Sequence, residues 1–131
     1  MGEAERVILL DTSVLIDPPS VWPNEEIGAS TLAMAELHFG IQAAQDAVSR
    51  SQRLRALEVY RSFLDWIQFD EPAAQAYGVL AIEVSRTRPA HARSKDILMV
   101  AQAFALGVPF MTRNPKDFDL VKHLVEIREV E

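Results

Sequence analysis

The 131-residue sequence has no cysteine, and this absence excludes disulfide bonds and thiolate-bound metals. Long hydrophobic runs are also missing. The longest nearly apolar stretch, residues 97–111, is interrupted by polar and turn residues and falls short of the roughly 18–20 residues that a membrane span needs. The opening MGEAER has neither the basic nor the apolar region of a secretion signal. These absences predict a soluble, cytoplasmic protein in which any bound metal has oxygen or histidine ligands.

Positive charge is in short supply. The chain has 13 lysines and arginines against 19 aspartates and glutamates, which gives a net charge of −6. This balance argues against a surface that binds nucleic acid by bulk electrostatics, although a local basic patch or a metal-bridged contact remains possible. With 49% hydrophobic residues, a chain of this length can bury roughly two thirds of its unfolded surface. We therefore predict a single domain over residues 1–131.

Short apolar runs alternate with segments of helical periodicity. Strands are predicted at residues 7–10, 27–30, 66–69, 109–112 and 125–128. Helices are predicted at residues 31–47, 50–64, 70–84, 94–106 and 116–123, with a basic loop at residues 86–93. In the first of these helices, Thr31 is the predicted N-cap and Phe39 one of the apolar-face positions. This alternation predicts an α/β fold, a three-layer sandwich in which helices flank a mainly parallel sheet of about five strands.

The stretch ILLDTSVLID places Asp11 directly after the first apolar run. In parallel sheets, ligands bind beyond the carboxyl ends of the strands, where the strand order reverses. If the first strand is central and the strand that ends at Thr112 lies beside it, Asp11 and the segment from Thr112 to Asn114 line the same crevice. Asp11 is then well placed to hold a ligand.

Three further carboxylates can reach that crevice. Glu36 lies in the second turn of the helix after the second strand, Asp96 opens a helix, and Asp117 follows the fourth strand. Several ionised carboxylates in a partly dry site repel one another unless a cation compensates their charge. Mg²⁺ and Mn²⁺ prefer oxygen ligands and commonly bridge carboxylates to a phosphate. The acids therefore indicate metal-assisted hydrolysis of a phosphodiester.

Each of these polar residues also has a purely structural interpretation. Asp11 alone is as readily the N-cap of a following helix, and Glu36 alone is more typical of a solvated helix residue. Asp96 alone is more typical of a first-turn residue that interacts with the positive end of the helix dipole, and Asp117 could simply begin a short helix. The remaining positions have default roles in turns, caps or packing: Thr12, Ser13, Gly40 and Asn114.

The motifs LLDTSVLI, AMAELHFGI and KDILMVAQAFALGVPFMTRNPKDFD, taken in this order, resemble those of PIN-domain ribonucleases, in particular VapC-type toxins of toxin–antitoxin pairs. The resemblance covers nearly the whole chain. It implies a catalytic and metal-binding quartet at Asp11, Glu36, Asp96 and Asp117, supported by polar residues at Thr12, Ser13, Thr112 and Asn114. It also implies a Mg²⁺- or Mn²⁺-dependent endoribonuclease that cleaves structured RNA such as tRNA or rRNA, a homodimer, and a VapB-like antitoxin that blocks the site.

On this interpretation the three aspartates, with Glu36 directly or through water, hold one or two ions, and an activated water attacks the phosphorus. No histidine stands out as a general base. A basic stretch immediately precedes Asp96 and is the best candidate for contacting RNA phosphates, although an ordinary solvated loop is the competing interpretation. Its members are Arg86, Arg88, Arg93 and Lys95.

Two other functions remain open. The opening motif also resembles that of haloacid-dehalogenase-like phosphatases, which have an aspartate nucleophile and a second acid two residues later, where this chain has Ser13. Alternatively, the chain could be a catalytically inactive PIN fold that binds RNA or protein. Trapping of a phosphoaspartate at Asp11 would favour the first alternative, and failure to cleave RNA with Mg²⁺ or Mn²⁺ would favour the second.

Overall fold

A computed structural model describes residues 7–131 of the chain. The prediction made for the MGEAER segment lies outside these described residues. One sheet contains five strands in the order β3-β2-β1-β4-β5, and every neighbouring pair is parallel. The strands are β1 (Val7–Leu10), β2 (Glu26–Ser30), β3 (Asp65–Ile67), β4 (Phe110–Thr112) and β5 (Ile127–Glu129). The predicted α/β class, the parallel sheet and the central position of the first strand are confirmed.

Five α-helices connect the strands. They are α1 (Thr12–Ile16), α2 (Thr31–Gln42), α3 (Ala47–Phe63), α4 (Glu71–Ser85) and α5 (Lys95–Leu106), with short 3₁₀ segments at His91–Arg93 and Pro115–Val121. Crossover connections between parallel strands are right-handed. The connections from β1 to β2 and from β2 to β3 run toward one edge of the sheet, whereas the connection from β3 to β4 runs back toward the other edge. The helices of these two sets of connections therefore cover opposite faces of the sheet. This arrangement is the predicted three-layer sandwich.

The structure corrects three predictions about helix ends. A five-residue helix, α1, begins directly after Asp11, where no helix is predicted. The cap of α2 is Ser30 rather than Thr31, because the Ser30 hydroxyl accepts the Leu32 N–H at 2.9 Å. The same helix ends at Gln42 rather than at residue 47, since Asp46 caps the start of α3 by accepting the Ser49 N–H at 2.8 Å.

The core lies on both faces of the central strand. All four residues of β1 are buried, as expected for a strand that helices cover from both sides. Phe110 of β4 and Phe118 of the last 3₁₀ segment pack edge to face in this core, with ring centroids 5.1 Å apart. Phe39 departs from the predicted pattern: the residue is 75% exposed, so its assignment to the apolar face of α2 is wrong. Further residues predicted on apolar faces are exposed as well, namely Ala35 and Ala43 in the same segment and Leu54 in the next helix.

Within residues 7–131, none of the helices combines the length and the apolar character that crossing a membrane requires.

Candidate active site

Asp11 and Thr112 stand at the carboxyl ends of two neighbouring strands. Strand β1 pairs with β4 so that Leu10 lies opposite Met111, and the Asp11 N–H donates to the Met111 carbonyl at 2.8 Å. Both residues are buried, Asp11 with 5% of its surface exposed and Thr112 with none. The predicted adjacency of these two strand ends is therefore confirmed.

A chain of hydrogen bonds fixes the Asp11 carboxylate. The hydroxyls of Ser13 and Thr112 both donate to Asp11 Oδ2, at 2.9 and 2.7 Å. Each hydroxyl in turn accepts a backbone N–H from the turn after β4: Ser13 from Arg113 at 3.1 Å, and Thr112 from Asn114 at 3.0 Å. Accepting an N–H leaves the proton of each hydroxyl free to point at Asp11. Both hydroxyls donate to the same carboxylate oxygen, Oδ2, and neither donates to Oδ1.

These contacts bear on the capping interpretation of Asp11. The residue does occupy the N-cap position of α1, but its side chain makes no capping hydrogen bond. Burial raises the pKa of the Asp11 carboxyl above its usual value, and the hydroxyls of Thr112 and Ser13 oppose that rise only in part. The side chain is thus a buried acid that does not cap the helix, and the charge of Glu36 adds to the cost of ionising it.

Glu36 is tied to the same crevice through both of its carboxylate oxygens. The Thr12 hydroxyl donates to Oε1, and the Lys95 ammonium lies 3.2 Å from Oε2. The Glu36 side chain is 24% exposed, so the alternative of a fully solvated helix residue is wrong. Thr12 follows Asp11 and Lys95 precedes Asp96, so Glu36 is in contact with both segments that carry the central acids.

Asp96 and Asp117 complete the acidic group. Burial raises the pKa of Asp96, the charge of Asp11 raises it further, and His91 lowers it; Asp117 and Glu36 also raise it. The charges of the other three predicted acids thus all raise the pKa of Asp96. Asp117 lies one turn beyond Asn114, where its N–H donates to the Asn114 carbonyl at 3.0 Å, and its own carbonyl lies 3.1 Å from His91 Nε2.

The donor set suits a hard divalent cation. Every acidic group in the crevice offers carboxylate oxygen, and the repulsion that raises the Asp96 pKa is the kind that a cation removes. In residues 7–131, no three acidic or histidine side chains stand close enough to form a ready-made cage for one ion. Such an open arrangement is compatible with Mg²⁺, which usually retains several waters and few protein ligands.

Other predicted residues contribute less to the crevice. Asn114 is exposed and takes part through its backbone N–H, as expected of a turn residue. Arg86 pairs with Glu83 of α4 at 3.2 Å, and both Arg88 and Arg93 are exposed. Gly40 lines a groove beside Glu36. A Cβ built there would meet only an Arg53 guanidinium nitrogen, at 4.0 Å.

Arg113 belongs to the segment predicted to line the site, but its contact with Asp17 is not among the predictions. Its guanidinium Nε donates to the Asp17 carbonyl at 2.6 Å and lies 3.4 Å from the Asp17 carboxylate, which ties the end of α1 to the end of β4. Its backbone N–H supports Ser13, as described above. Because 96 residues separate Arg113 from Asp17, no local sequence signal could have predicted this contact.

The chain is a parallel five-stranded α/β domain with Asp11 at the carboxyl end of its central strand, and its fold matches solved structures of VapBC toxin–antitoxin proteins. No protein-family profile matches the chain. Curated relatives are Ribonuclease VapC2 of Rickettsia felis, 24% identical over 91% of this chain and 95% of the relative, and Ribonuclease VapC of Rickettsia bellii, 25% identical over 89% and 92%.

Solved structures give the same result. The chain superposes on a VapBC-5 toxin–antitoxin structure from Mycobacterium tuberculosis with a TM-score of 0.78 and 25% identity, covering 95% of this chain and 98% of the other. It superposes on VapBC2 of Rickettsia felis, solved with promoter DNA, with a TM-score of 0.78 and 21% identity over 95% and 99%. The predicted resemblance to VapC-type PIN ribonucleases is confirmed.

Proposed function

We propose that the chain is a VapC-like toxin, a Mg²⁺- or Mn²⁺-dependent endoribonuclease that a VapB-like antitoxin neutralises. The observation that carries this proposal is the buried Asp11 carboxylate, which Ser13 and Thr112 hold and whose charge acts on Asp96. The names of the curated relatives and the toxin–antitoxin assemblies among the structural neighbours support it. Structured RNA, such as tRNA or rRNA, is the proposed substrate class.

The acids and the hydroxyls of the site would have different roles. Asp11, Asp96 and Asp117 would hold the ion. Ser13 and Thr112 keep the Asp11 carboxylate in one orientation, so that little reorganisation is needed when the ion binds. A bound divalent ion supplies Lewis-acid activation of water and offsets the charge that develops on the phosphate. Since Thr12 and Lys95 already engage both oxygens of Glu36, this residue would act through a water or through Lys95 rather than as a direct ligand.

The proposal is tested by cleavage of total cellular RNA with purified chain, followed by sequencing of the new RNA ends. We expect defined cuts with Mg²⁺ or Mn²⁺ and none after chelation by EDTA. Cleavage by the Asp11→Asn variant should be at least a hundredfold slower, since Asp11 is the buried acid that two hydroxyls hold in place. Cleavage by Asp11→Asn at the wild-type rate would contradict the proposal, because it would show that a contaminating nuclease or another site is responsible.

The same experiment bears on the alternatives. The Ser13 hydroxyl donates to Asp11, whereas a haloacid-dehalogenase-like phosphatase needs an acid at this position, so the structure offers no support for that chemistry. A phosphoaspartate trapped at Asp11 would nevertheless favour it. Wild-type chain that binds RNA without cutting it, in either metal, would favour the inactive binding module.

A groove that Glu36 helps to line is the proposed binding site of the antitoxin. It has a volume of about 340 Å³ and is lined mainly by apolar residues of α1, α2 and α3, including Leu15, Ile16, Leu37 and Tyr60. Ile16 is 71% exposed, and Glu36, which contacts Thr12 and Lys95, is among the lining residues. An amphipathic antitoxin segment could cover this apolar surface and reach the carboxylates with a basic residue. The homodimer that the resemblance implies stays a prediction.

A further inference from the structure

Lys95 is held at the mouth of the acidic site by Glu36. Its ammonium lies 3.2 Å from Glu36 Oε2, while Glu36 Oε1 accepts the Thr12 hydroxyl. Thr12 comes directly after Asp11, and Lys95 comes directly before Asp96. The contacts of Glu36 therefore join the residue after Asp11 to the residue before Asp96, and they fix the location of one positive charge there.

The surroundings of Lys95 differ from those of an ordinary solvated lysine. It is the first residue of α5, where the positive end of the helix dipole disfavours a cation. Glu36 and the neighbouring acids offset that cost. Its side chain is 64% exposed, and an ammonium has three N–H donors, so the contact with one Glu36 oxygen leaves donors available to a ligand that arrives from solvent.

We propose that Lys95 contacts a phosphate of the RNA at this site and that Glu36 positions its ammonium for that contact. The inference rests on the proposed ribonuclease function and adds a substrate contact to it. A chain with a net charge of −6 cannot attract RNA by its overall charge, so a local cation at the crevice is needed to offset the repulsion between the acids and the phosphates. Lysine serves as a point-charge phosphate ligand in such settings.

The contact is tested by RNA binding in a background that does not cleave. The probe is a fluorescein-labelled RNA stem-loop that carries a cleavage site mapped with the wild-type chain, bound to the Asp11→Asn variant at several salt concentrations. We expect the added substitution Lys95→Met to weaken binding about tenfold and to lower the slope of log Kd against log salt by about 0.7–0.9, the contribution of one phosphate contact. Lys95→Arg keeps the charge and should retain most of the affinity.

Lys122 provides the matched control. It is a lysine of similar exposure, 66%, and it is likewise paired with a carboxylate, Asp119, at 3.7 Å, but it does not contact Glu36. Lys122→Met should leave the affinity and the salt slope unchanged. If Lys95→Met matches Lys122→Met in both measurements, Lys95 does not contact phosphate and the inference is wrong. If the wild-type chain itself yields no cleavage site, the ribonuclease proposal fails instead.

The positioning role of Glu36 is tested separately by a double-mutant cycle with Glu36→Gln and Lys95→Met. If Glu36 acts through Lys95, the effect of Glu36→Gln on RNA affinity should change by at least threefold when Lys95 is absent. If the fold-changes in RNA affinity caused by the two substitutions simply multiply in the double variant, the positioning role of Glu36 is contradicted, while the phosphate contact of Lys95 is not. Urea unfolding of each variant verifies that the comparison is made between folded proteins.

Discussion

Single hydroxyl groups determine the orientation of the central acid. Ser13 and Thr112 both donate to Asp11 Oδ2, and both are oriented by backbone N–H groups of the turn after β4. A buried carboxylate that lost these donors would retain its desolvation cost without compensation. The hydroxyls therefore have a structural role that precedes any role in catalysis.

Thr112→Val tests that role at constant shape. The substitution removes the 2.7 Å donor to Asp11 and the acceptor of the Asn114 N–H, so we expect the free energy of unfolding to fall by about 1–3 kcal/mol. Urea unfolding without added metal measures the change. The exposed residue Thr87 is the control, and Thr87→Val should change stability little. Equal effects of the two substitutions would show that the Thr112 hydroxyl does not stabilise the fold.

The ends of the helices depend on short-range features that can be examined separately from the core. Asp70 accepts the Ala73 N–H at 3.1 Å as the predicted start of α4, and Gly107 ends α5 in the left-handed conformation at φ 69°. Gly107 is the one residue in the described part of the chain that has positive φ. A side chain at this position would be strained, although the space around it is open.

Two glycines with equally open surroundings should respond in opposite directions. A Cβ at Gly78 or at Gly107 would meet nothing within 4 Å. Gly78→Ala, in the interior of α4, should raise the free energy of unfolding by about 0.5–1 kcal/mol because alanine favours the helix. Gly107→Ala should lower it by about 1 kcal/mol, because alanine disfavours positive φ. Thermal or urea unfolding separates the two, and a change of the same sign in both would contradict this explanation.

At the scale of the whole molecule, the site and the apolar groove share one edge of the structure. Glu36 lines the groove and also contacts the acidic crevice through Thr12 and Lys95. A partner segment that fills the groove would therefore end beside the acids. Binding of the antitoxin and access of RNA are expected to exclude each other for this reason.

Ile16→Ser tests the groove with a matched control on another surface. Ile16 lines the groove and is 71% exposed, whereas Val48, at the start of α3, is 67% exposed and is not among the lining residues. With a VapB-like antitoxin as the co-expressed partner, Ile16→Ser should weaken the complex at least tenfold by calorimetry because apolar contact is lost. Val48→Ser should leave the affinity of the complex unchanged. If the antitoxin binds the Ile16→Ser variant as tightly as it binds the wild-type chain, the groove is not its binding site.

Local sequence patterns by themselves determined much of the scaffold. The apolar run of β1, the cap at Asp70 and the stop at Gly107 depend on a residue and its near neighbours, and all three are confirmed. The same patterns failed at α1, because five residues are too short to show a helical period, and at α2, where Ser30 and Thr31 are both plausible caps. Which hydroxyl accepts the N–H there depends on where β2 ends.

Only the tertiary structure decided how the polar groups meet. Thr112 and Asp11 are 101 residues apart in the chain, and they hydrogen-bond because β4 lies beside β1 in a fixed register. The pairing of Lys95 with Glu36 likewise depends on the helices α5 and α2 beginning at the same edge of the sheet. The sequence could name the acids and the lysine, but sheet order and register, which arise from packing of distant segments, determined which of them are in contact.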